Sequence, residues 1–456
     1  MSAAENGFFW GVATSSHQIE GNNTKNDWWA WELAGNIEGG VRSGAATDHW
    51  RLYREDIRLA AELGVNSYRF SVEWSRIEPE EGRFDESALD WYRELIAECE
   101  KHAIVPMLTL HHFTSPLWFT EKGGFTSKSS PQKFLAFVDV VERELGAHVP
   151  LWCTFNEPMV LVAGGYLGKF MPPAKYAPEL ASIACKNILK AHVLAYDRLH
   201  APAAPAAGPW KDWQRRVGLA HNMMDFLPDR AYSPPDRLLA RTLHRFYNCS
   251  WLDAVCGKKQ HFGILGLVPY APQVKEALGR VTADFLGINY YTKAYVRWWP
   301  KNKSAQSLPE ALVGLMFARL SEPVADNGWA IHPAGFRRVL KKAASYGLPL
   351  LVTENGIADR EDAQRPEFLL AHLREIAALL EGGMDIQGYY YWSLLDNFEW
   401  IKGFGPRFGL YKVDYENFAR SPTGSAKLFR EIADAHAGTQ PPRSAYFAEF
   451  QSGERP

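Results

Sequence analysis

The chain has 456 residues, of which 46% are hydrophobic and 22% are charged, values typical of a globular protein with a large core. Fifty basic and fifty-two acidic side chains leave a formal charge of −2, so no global field would attract nucleic acid or an anionic membrane. The composition therefore argues against both as partners and favours a small, neutral ligand.

The five cysteines are odd in number and share no CxxC spacing, which is typical of reduced thiols in a reducing compartment. The first residues show no basic segment followed by an apolar run. No apolar stretch approaches the roughly 18 residues of a membrane-spanning helix. We therefore expect a cytoplasmic protein, and the sequence leaves the oligomeric state open.

Eight short apolar runs predict buried strands, at residues 8–13, 66–72, 104–110, 151–156, 217–222, 285–291, 348–353 and 386–393. Amphipathic helical patterns lie between them, at residues 53–63, 88–102, 131–145, 183–199, 335–345 and 367–381. A strand followed by a helical region, repeated eight times, indicates a parallel sheet. Eight units favour an α/β fold of the closed (β/α)8 TIM barrel type over an open sheet.

No break in composition resembles a domain linker, so residues 1–456 are predicted to form a single catalytic barrel domain. The Ala/Pro-rich stretch 201–209 and the polar stretch 301–309 are predicted to be loop insertions, because the strand and helix pattern resumes after each of them.

Functional side chains of a TIM barrel cluster beyond the carboxyl ends of its strands. Polar and aromatic residues follow six of the predicted strands: Gln18, His111, His112, Asn156, Glu157, Asn289, Tyr291, Glu354 and Trp392. We expect them to converge on one pocket. The chain also has 17 Trp, 19 Tyr and 25 Phe, whose flat rings suit the apolar faces of sugars as well as a large core.

Glu157 and Glu354 each come just beyond a predicted buried strand. Either glutamate alone could be a structural ion-pair residue. As a pair they match the needs of acetal cleavage, in which one carboxyl group protonates the leaving oxygen and a second, ionised one attacks or shields the anomeric carbon. The two lie about 5–5.5 Å apart when configuration is retained.

Different surroundings are needed to give the two glutamates different roles. As the acid, Glu157 must be protonated at neutral pH, and a second carboxylate nearby raises its pKa. Pro158 predicts an extended backbone at Glu157. Arg69 and the hydroxyl of Tyr291 are the groups we expect against Glu354 to keep it ionised.

Other chemistries lack their sequence patterns. No HExxH motif, Cys/His spacing or acidic triplet accompanies His111 and His112, and adjacent strand residues point to opposite faces, so we expect no metal. His112 is expected to face the pocket and His111 the barrel wall. The glycine-rich run 403–409 misses the dinucleotide spacing, and no GxSxG elbow occurs, so neither a cofactor nor a nucleophilic serine is predicted.

The chain resembles glycoside hydrolase family 1, the β-glucosidase and β-galactosidase family, nearly from end to end. Several ordered motifs carry the resemblance: Gly7 to Thr14 with Gln18 to Gly21, Tyr68 to Ser71, Thr154 to Pro158, Gly287 to Tyr291, Thr353 to Gly356, Trp392 to Trp400, and Arg407 to Gly409.

The resemblance implies a retaining mechanism in which Glu354 attacks the anomeric carbon and Glu157 serves first as acid and then as base. It implies that the non-reducing sugar is held by Gln18, His112, Asn156, Glu399 and Trp400, with Trp392 as a stacking platform. Trp329 matches the aglycone side. Three further residues of the matching motifs complete the predicted substrate-binding set: Asn289, Tyr291 and Phe408.

The implied substrates are small, neutral, unphosphorylated β-glycosides, because Glu399 would repel a sugar phosphate. Terminal β-glucosyl residues come first, with galactosyl and fucosyl residues as further candidates. A transglycosylase using the same covalent intermediate is the alternative, and an inactive sugar-binding protein is a third hypothesis.

This sequence departs from the family pattern at three places. Phe113 stands where a tryptophan is common, which removes an indole donor near the sugar's 3-hydroxyl, and His17 replaces the usual aromatic residue before Gln18. The unusual segment from Trp210 to Trp213 either lines the aglycone entrance or forms a surface loop.

Overall fold

Eight parallel strands close into a barrel in this computed structural model, which describes residues 7–258, 274–277, 279–298, 313–436 and 438–449. The barrel strands, numbered here in chain order, are β1 (Phe9–Ala13), β2 (Ser67–Ser71), β3 (Val105–His111), β4 (Leu151–Asn156), β5 (Arg216–Asn222), β6 (Phe285–Tyr290), β7 (Leu350–Asn355) and β8 (Ile386–Trp392). Each strand pairs with its neighbours in the chain, and β1 pairs with β8 to close the ring.

The predicted (β/α)8 barrel is confirmed, and each predicted strand agrees with an observed one to within two residues at either end. The agreement has a simple cause. Almost every residue of the eight strands is buried, because helices cover the outer face and side chains fill the interior, so the strands are continuous apolar runs.

The six predicted helices are also present, and each begins one to five residues earlier than its apolar pattern. They are His49–Glu62, Glu86–Lys101, Ser130–Leu145, Pro178–Leu199, Pro333–Ala344 and Arg365–Glu381. The first turns lack the apolar spacing because they carry capping groups and prolines instead. Asp85, for example, accepts hydrogen bonds from the amides of Ser87 and Ala88.

Further helices complete the outer layer and the rim, at Ser16–Ile19, Asp27–Leu33, Trp74–Ile77, Leu117–Glu121, Pro158–Val162, Pro234–Leu243, Ser250–Val255, Gly424–Ala435 and Ser444–Glu449. Two π-helical segments, Ala163–Leu167 and His244–Cys249, flank the barrel mouth. Among the residues described, none of the helices combines the length and the apolar character that crossing a membrane requires.

Two small sheets lie in the loops outside the barrel. Asp225–Pro228, Lys293–Trp298 and Val313–Met316 form one sheet, and Tyr411–Val413 pairs with Arg420–Pro422 in the other. The predicted insertion at 201–209 is an irregular connection between a helix and β5, ending in a single 3-10 turn. The predicted insertion at 301–309 lies outside the described residues.

The interior of the barrel is filled by apolar side chains whose lower layer includes Phe9 and Leu151. Trp210 and Trp213 close this interior from below: the ring of Trp213 lies 6.2 Å from that of Phe9, the first residue of β1. The segment therefore packs at the amino ends of the strands. The expectation that it lines the aglycone entrance is wrong, because the segment directly precedes β5 and the chain there is still at the opposite end of the barrel from the site.

Candidate active site

The carboxyl ends of the barrel strands bring together the side chains singled out in the sequence. Gln18 lies in the short helix after β1, and three further residues come from loops, Trp329 before the helix Pro333–Ala344 and both Glu399 and Trp400 after β8. The others lie in the strands or directly after them: Arg69, His112, Asn156, Glu157, Asn289, Tyr291, Glu354 and Trp392.

Glu354 is held between a cation and a phenol. Nη1 of the fully buried Arg69 donates a hydrogen bond to Oε1 of Glu354 at 2.5 Å, and the hydroxyl of Tyr291 donates to Oε2 at 2.5 Å. Both neighbours are those expected from the sequence. Burial raises the pKa of Glu354 above its ordinary value of 4.5, while the charge of Arg69 and the two hydrogen bonds pull it back down.

Glu157 has amides as partners and no cation in contact with it in the described part of the chain. Its Oε1 accepts hydrogen bonds from Nδ2 of Asn289 at 2.8 Å and from Nδ2 of Asn222 at 3.1 Å. Burial, and after it the negative charge of Glu354, raises the pKa of Glu157 to about 8. A carboxyl group with this pKa keeps its proton at neutral pH.

The backbone of Glu157 corrects the prediction made from Pro158. Instead of being extended, Glu157 has φ 45° and ψ 57°, in the left-handed region. Its amide still bonds to the carbonyl of Ala220 in β5, and Pro158 already begins a helix, so the chain must turn within one residue. Proline disfavours the right-handed helical conformation at Glu157, and the left-handed one makes the turn at a cost in strain.

A hydrogen-bond network connects the surroundings of the two glutamates. Oδ1 of Asn156 accepts from Nη2 of Arg69 at 2.7 Å and from Nδ2 of Asn289 at 3.1 Å. Thr353 donates to Oδ1 of Asn289 at 2.6 Å and so fixes the orientation of that amide. One rigid network thus orients both carboxyl groups, which allows little reorganisation during a reaction.

His112 extends this network and keeps one donor free. Its Nε2 lies 3.1 Å from Nδ2 of Asn156, an arrangement that leaves the ring proton on Nδ1. Burial lowers the pKa of His112 well below 6.5, so the ring is neutral. The buried Nδ1 has no hydrogen-bond partner among the residues described and is available to a ligand hydroxyl.

His111 points the other way, as its place on the strand predicts. Its ring packs against Phe125 and Phe155, with centroids 5.3 Å apart in each case, and its Nε2 bonds to the hydroxyl of Ser115 at 3.1 Å. In the ranges that the structure describes, no three His, Cys, Asp or Glu side chains are grouped so as to hold a metal ion.

Gln18 and Glu399 form the polar floor on the other side of the pocket. Nε2 of Gln18 donates to Oε2 of Glu399 at 3.2 Å, to Oδ1 of Asn397 at 2.9 Å and to the carbonyl of Phe398 at 2.9 Å. Ser15 donates to the amide oxygen of Gln18 at 2.7 Å. Burial and the charge of Glu354 raise the pKa of Glu399 to about 8.

Aromatic rings wall the pocket. The ring of His112 is nearly parallel to those of Trp392 and Trp400, at centroid distances of 5.9 and 6.1 Å. The ring of Trp400 packs against that of the buried Trp28, with centroids 4.6 Å apart, and stacks on the ring of His17 at 5.9 Å. Flat rings held in fixed positions provide an apolar face for a ligand such as a pyranose.

Trp329, Tyr291 and Phe408 form a second aromatic group beside Glu354. The ring of Tyr291 lies 5.6 Å from Trp329 and meets Phe408 edge-on at 6.2 Å. Trp329 is half-buried, whereas Phe408 is only 1% exposed. Phe408 therefore supports Tyr291 from behind, and Trp329 is the member that opens toward the outside.

Three residues of the site were missed from the sequence. Asn222 ends β5 and bonds to Glu157, and its place at a strand end was a usable signal. Asn397 fixes Gln18, and Tyr247 bonds to Asn222 at 2.8 Å. Tyr247 lies in the π-helical segment His244–Cys249, and nothing in the sequence marks it as a neighbour of β5.

Comparisons with known proteins agree with this geometry. Residues 2–437 match the family model of glycosyl hydrolase family 1. The chain is 31% identical to β-glucosidase A of Thermotoga maritima and 29% identical to a β-galactosidase of Pyrococcus woesei; each alignment covers 93% of this chain and 96% of the relative. The solved structure of a β-glycosidase from Pyrococcus horikoshii is 40% identical, with a TM-score of 0.83 over 98% of this chain and 97% of the other.

The match spans nearly the whole chain in sequence and in structure, and the relatives are β-glucosidases and β-galactosidases. The chain therefore belongs to glycosyl hydrolase family 1, as a glycoside hydrolase of the β-glucosidase type.

Proposed function

We propose that the protein is a retaining β-glycosidase that removes terminal β-glucosyl residues by double displacement, with Glu354 as nucleophile and Glu157 as acid and base. One observation carries this assignment. Glu354 is paired with the guanidinium of Arg69, whereas Glu157 is held by the neutral amides of Asn222 and Asn289, and no cation among the described residues contacts it. The first arrangement stabilises an anion and the second retains a proton.

In the first step the carboxylate of Glu354 forms a bond to the anomeric carbon while the bond to the leaving oxygen breaks. Protonated Glu157 gives its proton to that oxygen, so an alcohol departs and a glycosyl ester of Glu354 remains. Arg69 and Tyr291 orient the attacking carboxylate. The proton is supplied from within the pocket, so the step needs no strong acid from solvent.

In the second step Glu157 removes a proton from water as the water attacks the same carbon and releases Glu354. The change of role follows from electrostatics. The negative charge of Glu354 is one of the two causes that raise the pKa of Glu157, and this charge disappears when Glu354 becomes an ester. The pKa of Glu157 then falls, and the ionised residue can act as a base.

For the glycone we propose the polar floor and the aromatic wall described above. Gln18, Glu399 and the free Nδ1 of His112 provide acceptors and donors for hydroxyl groups, Asn156 and Asn289 complete the set around the reacting carbon, and Trp392 with Trp400 stacks on the ring. The carboxylate of Glu354 disfavours a phosphorylated sugar, and Glu399 adds to this repulsion when it is ionised. The substrates are thus small neutral β-glycosides such as cellobiose, with Trp329, Tyr291 and Phe408 on the aglycone side.

We further propose a cytoplasmic enzyme in which the whole chain is one catalytic domain. The five cysteines are free and buried in the structure, which suits a reducing compartment. Galactosides are further candidate substrates, because the relatives include a β-galactosidase as well as β-glucosidases. Fucosides are proposed from the family resemblance alone.

The role assignment is tested by chemical rescue. Glu354→Ala should lose turnover of a nitrophenyl β-glucoside, and added azide should restore it with an α-glycosyl azide as product. Glu157→Ala should still react with activated substrates, and azide should then give the β-linked adduct. Glu62→Ala, at an exposed ion pair on an outer helix, is the control that should behave as wild type. A β-azide from Glu354→Ala would reverse the assignment.

A further inference from the structure

Tyr247 is linked to Glu157 by a single amide side chain, that of Asn222. The hydroxyl of Tyr247 donates to Oδ1 of Asn222 at 2.8 Å, and Nδ2 of the same amide donates to Oε1 of Glu157 at 3.1 Å. Resting on the role proposed above for Glu157, we propose that Tyr247 is a positioning residue that fixes the proton-donating carboxyl group through Asn222.

The orientation of the Asn222 amide is the property that Tyr247 controls. An asparagine side chain can turn over and present either its nitrogen or its oxygen to a neighbour. With the nitrogen toward Glu157, the amide donates to the carboxylate and lowers the pKa of Glu157. With the oxygen toward it, the amide would accept a hydrogen bond from the protonated acid and favour the neutral form. The hydroxyl of Tyr247, donating to Oδ1, selects the first orientation.

The two amides that contact Glu157 also select which of its oxygens carries the proton. Asn222 and Asn289 both donate to Oε1, and Oε2 has no donor within hydrogen-bond distance among the described residues. A proton on Oε1 would compete with two donors. We therefore expect the proton on Oε2, which makes this oxygen the one that donates to the leaving group.

The backbone holds Tyr247 firmly beside Asn222. Nε2 of His221 lies 3.0 Å from the carbonyl of Tyr247, and the side chain of Asn248 bonds to both the amide and the carbonyl of Met224. The π-helical segment is thus fastened to β5 and the residues after it on both sides of Asn222. Single π-helical turns inside α-helices occur frequently at functional sites.

Several other ionisable groups lie near Glu157 and Tyr247. Around Glu157 they are Glu354, Glu399, Arg69, His112 and Tyr291, all in the pocket already described. Around Tyr247 they are His221, whose ring lies 6.4 Å away, and His244, which bonds to Asn248. Burial lowers the pKa of His221 to about 4 and also lowers that of His244, so both are neutral across the basic limb of activity.

The test is the pH profile of kcat/KM for methyl β-glucoside, whose poor leaving group needs the proton of Glu157. Tyr247→Phe should move the basic limb to higher pH by about 0.5–1 pH unit, because Glu157 loses the amide donor that stabilises its ionised form. Asn222→Ala should shift the limb in the same direction. Tyr196→Phe, which deletes a hydroxyl bonded to the remote Asp284, should leave the limb in place.

A double variant separates an action through Asn222 from a general loosening of the structure. If Tyr247 acts through Asn222, the Tyr247→Phe/Asn222→Ala variant shifts the limb no further than Asn222→Ala alone. Additive shifts, or an unmoved limb in Tyr247→Phe, would overturn the inference. Should Tyr247→Phe not fold, an unmoved limb in Asn222→Ala overturns it equally. A basic limb that survives in Glu157→Gln would instead refute the role of Glu157.

Discussion

Nη1 of Arg69 donates to Oε1 of Glu354 at 2.5 Å, with both side chains buried in the barrel mouth. This ion pair makes the two glutamates unequal. Without it, the buried Glu157 and Glu354 and the half-buried Glu399 would be three carboxyl groups with raised pKa values and no cation in contact with them among the described residues. The difference between the proposed nucleophile and the proposed acid thus originates in β2, a strand that contributes neither of the two carboxyl groups.

Replacement of Arg69 should therefore disable the nucleophile. In Arg69→Met we expect kcat/KM to fall by about 10²–10³-fold, because a preorganised charge in a water-excluded site is lost. The acid limb of the profile should move to higher pH, since the pKa of Glu354 rises without the cation. Arg420→Gln breaks the buried pair with Asp56 away from the pocket, so it should lower the melting temperature and leave the acid limb unchanged. An unchanged limb in Arg69→Met would contradict the account.

The basic limb of wild-type activity should fall near pH 8. Glu157 must be protonated to act as an acid, and burial together with the charge of Glu354 raises its pKa to about 8. Above this pH the proton is lost and kcat/KM declines tenfold per unit. The profile is measured with a poor leaving group such as a methyl glucoside. In Glu157→Gln, a dinitrophenyl glucoside should still react without that limb, because its leaving group needs no proton.

Glu399 should lower the free energy of unfolding as the pH rises. Its pKa is about 8 in the folded protein and about 4.5 when unfolded, so between these values the folded state binds the extra proton and stability falls with increasing pH. Glu399→Gln should therefore be more stable than wild type at pH 9, by roughly 1–3 kcal/mol after allowance for partial exposure, with little difference near pH 4.5. Its kcat/KM should fall by about tenfold or more. Thermal unfolding at several pH values measures this.

Glu322 provides a control, because its effect on stability should change with pH in the opposite direction. It contacts Lys293 and Tyr295, and the pKa of Glu322 is lowered to about 2. Ionised Glu322 stabilises the folded protein fully above its unfolded pKa near 4.5, and this stabilisation is lost as the pH falls through 2. Glu322→Gln should hence destabilise the protein at pH 7. If Glu399→Gln and Glu322→Gln changed the free energy of unfolding equally at every pH, burial and ion pairing would not determine the pKa values of these glutamates.

With Phe113 in place of tryptophan, the enzyme should be less selective for the 3-hydroxyl of the glycone. Its ring lies edge-on to Trp400 at 5.2 Å and beside His112 at 5.2 Å, on the side where the family resemblance places the 3-hydroxyl. Phe113→Trp restores an indole donor, and we expect kcat/KM for the glucoside to rise about tenfold relative to the 3-deoxyglucoside. Phe113→Leu, which offers no donor, should not change that ratio. A panel of nitrophenyl glycosides measures both, and equal ratios in the two variants would refute the role.

The sequence predicted the barrel and most of the pocket because both depend on local patterns. Buried parallel strands are continuous apolar runs, and functional groups follow their carboxyl ends, so the sequence alone assigns Arg69 and Tyr291 to Glu354. The family resemblance added Glu399 and Trp400, which lie in loops. Predicted helix starts were late because the first turns hold caps and prolines.

What sequence could not provide was set by tertiary context. The left-handed backbone of Glu157 depends on its amide bonding to β5 while Pro158 starts a helix, and the local rule for residues before proline does not include that constraint. Trp210 and Trp213 cover the amino ends of the strands, which no local pattern distinguishes from the other end. Tyr247 reaches Asn222 only because a π-helical segment is fastened beside β5.

The central claim is that Glu354 and Glu157 carry out two successive inversions at one carbon. Proton NMR of nitrophenyl β-glucoside hydrolysis, recorded before the free sugar mutarotates, tests it most directly. The account predicts that β-glucose appears first and the α-anomer only later. If α-glucose is the first product, water attacks directly, and the assignment of Glu354 as a nucleophile is wrong.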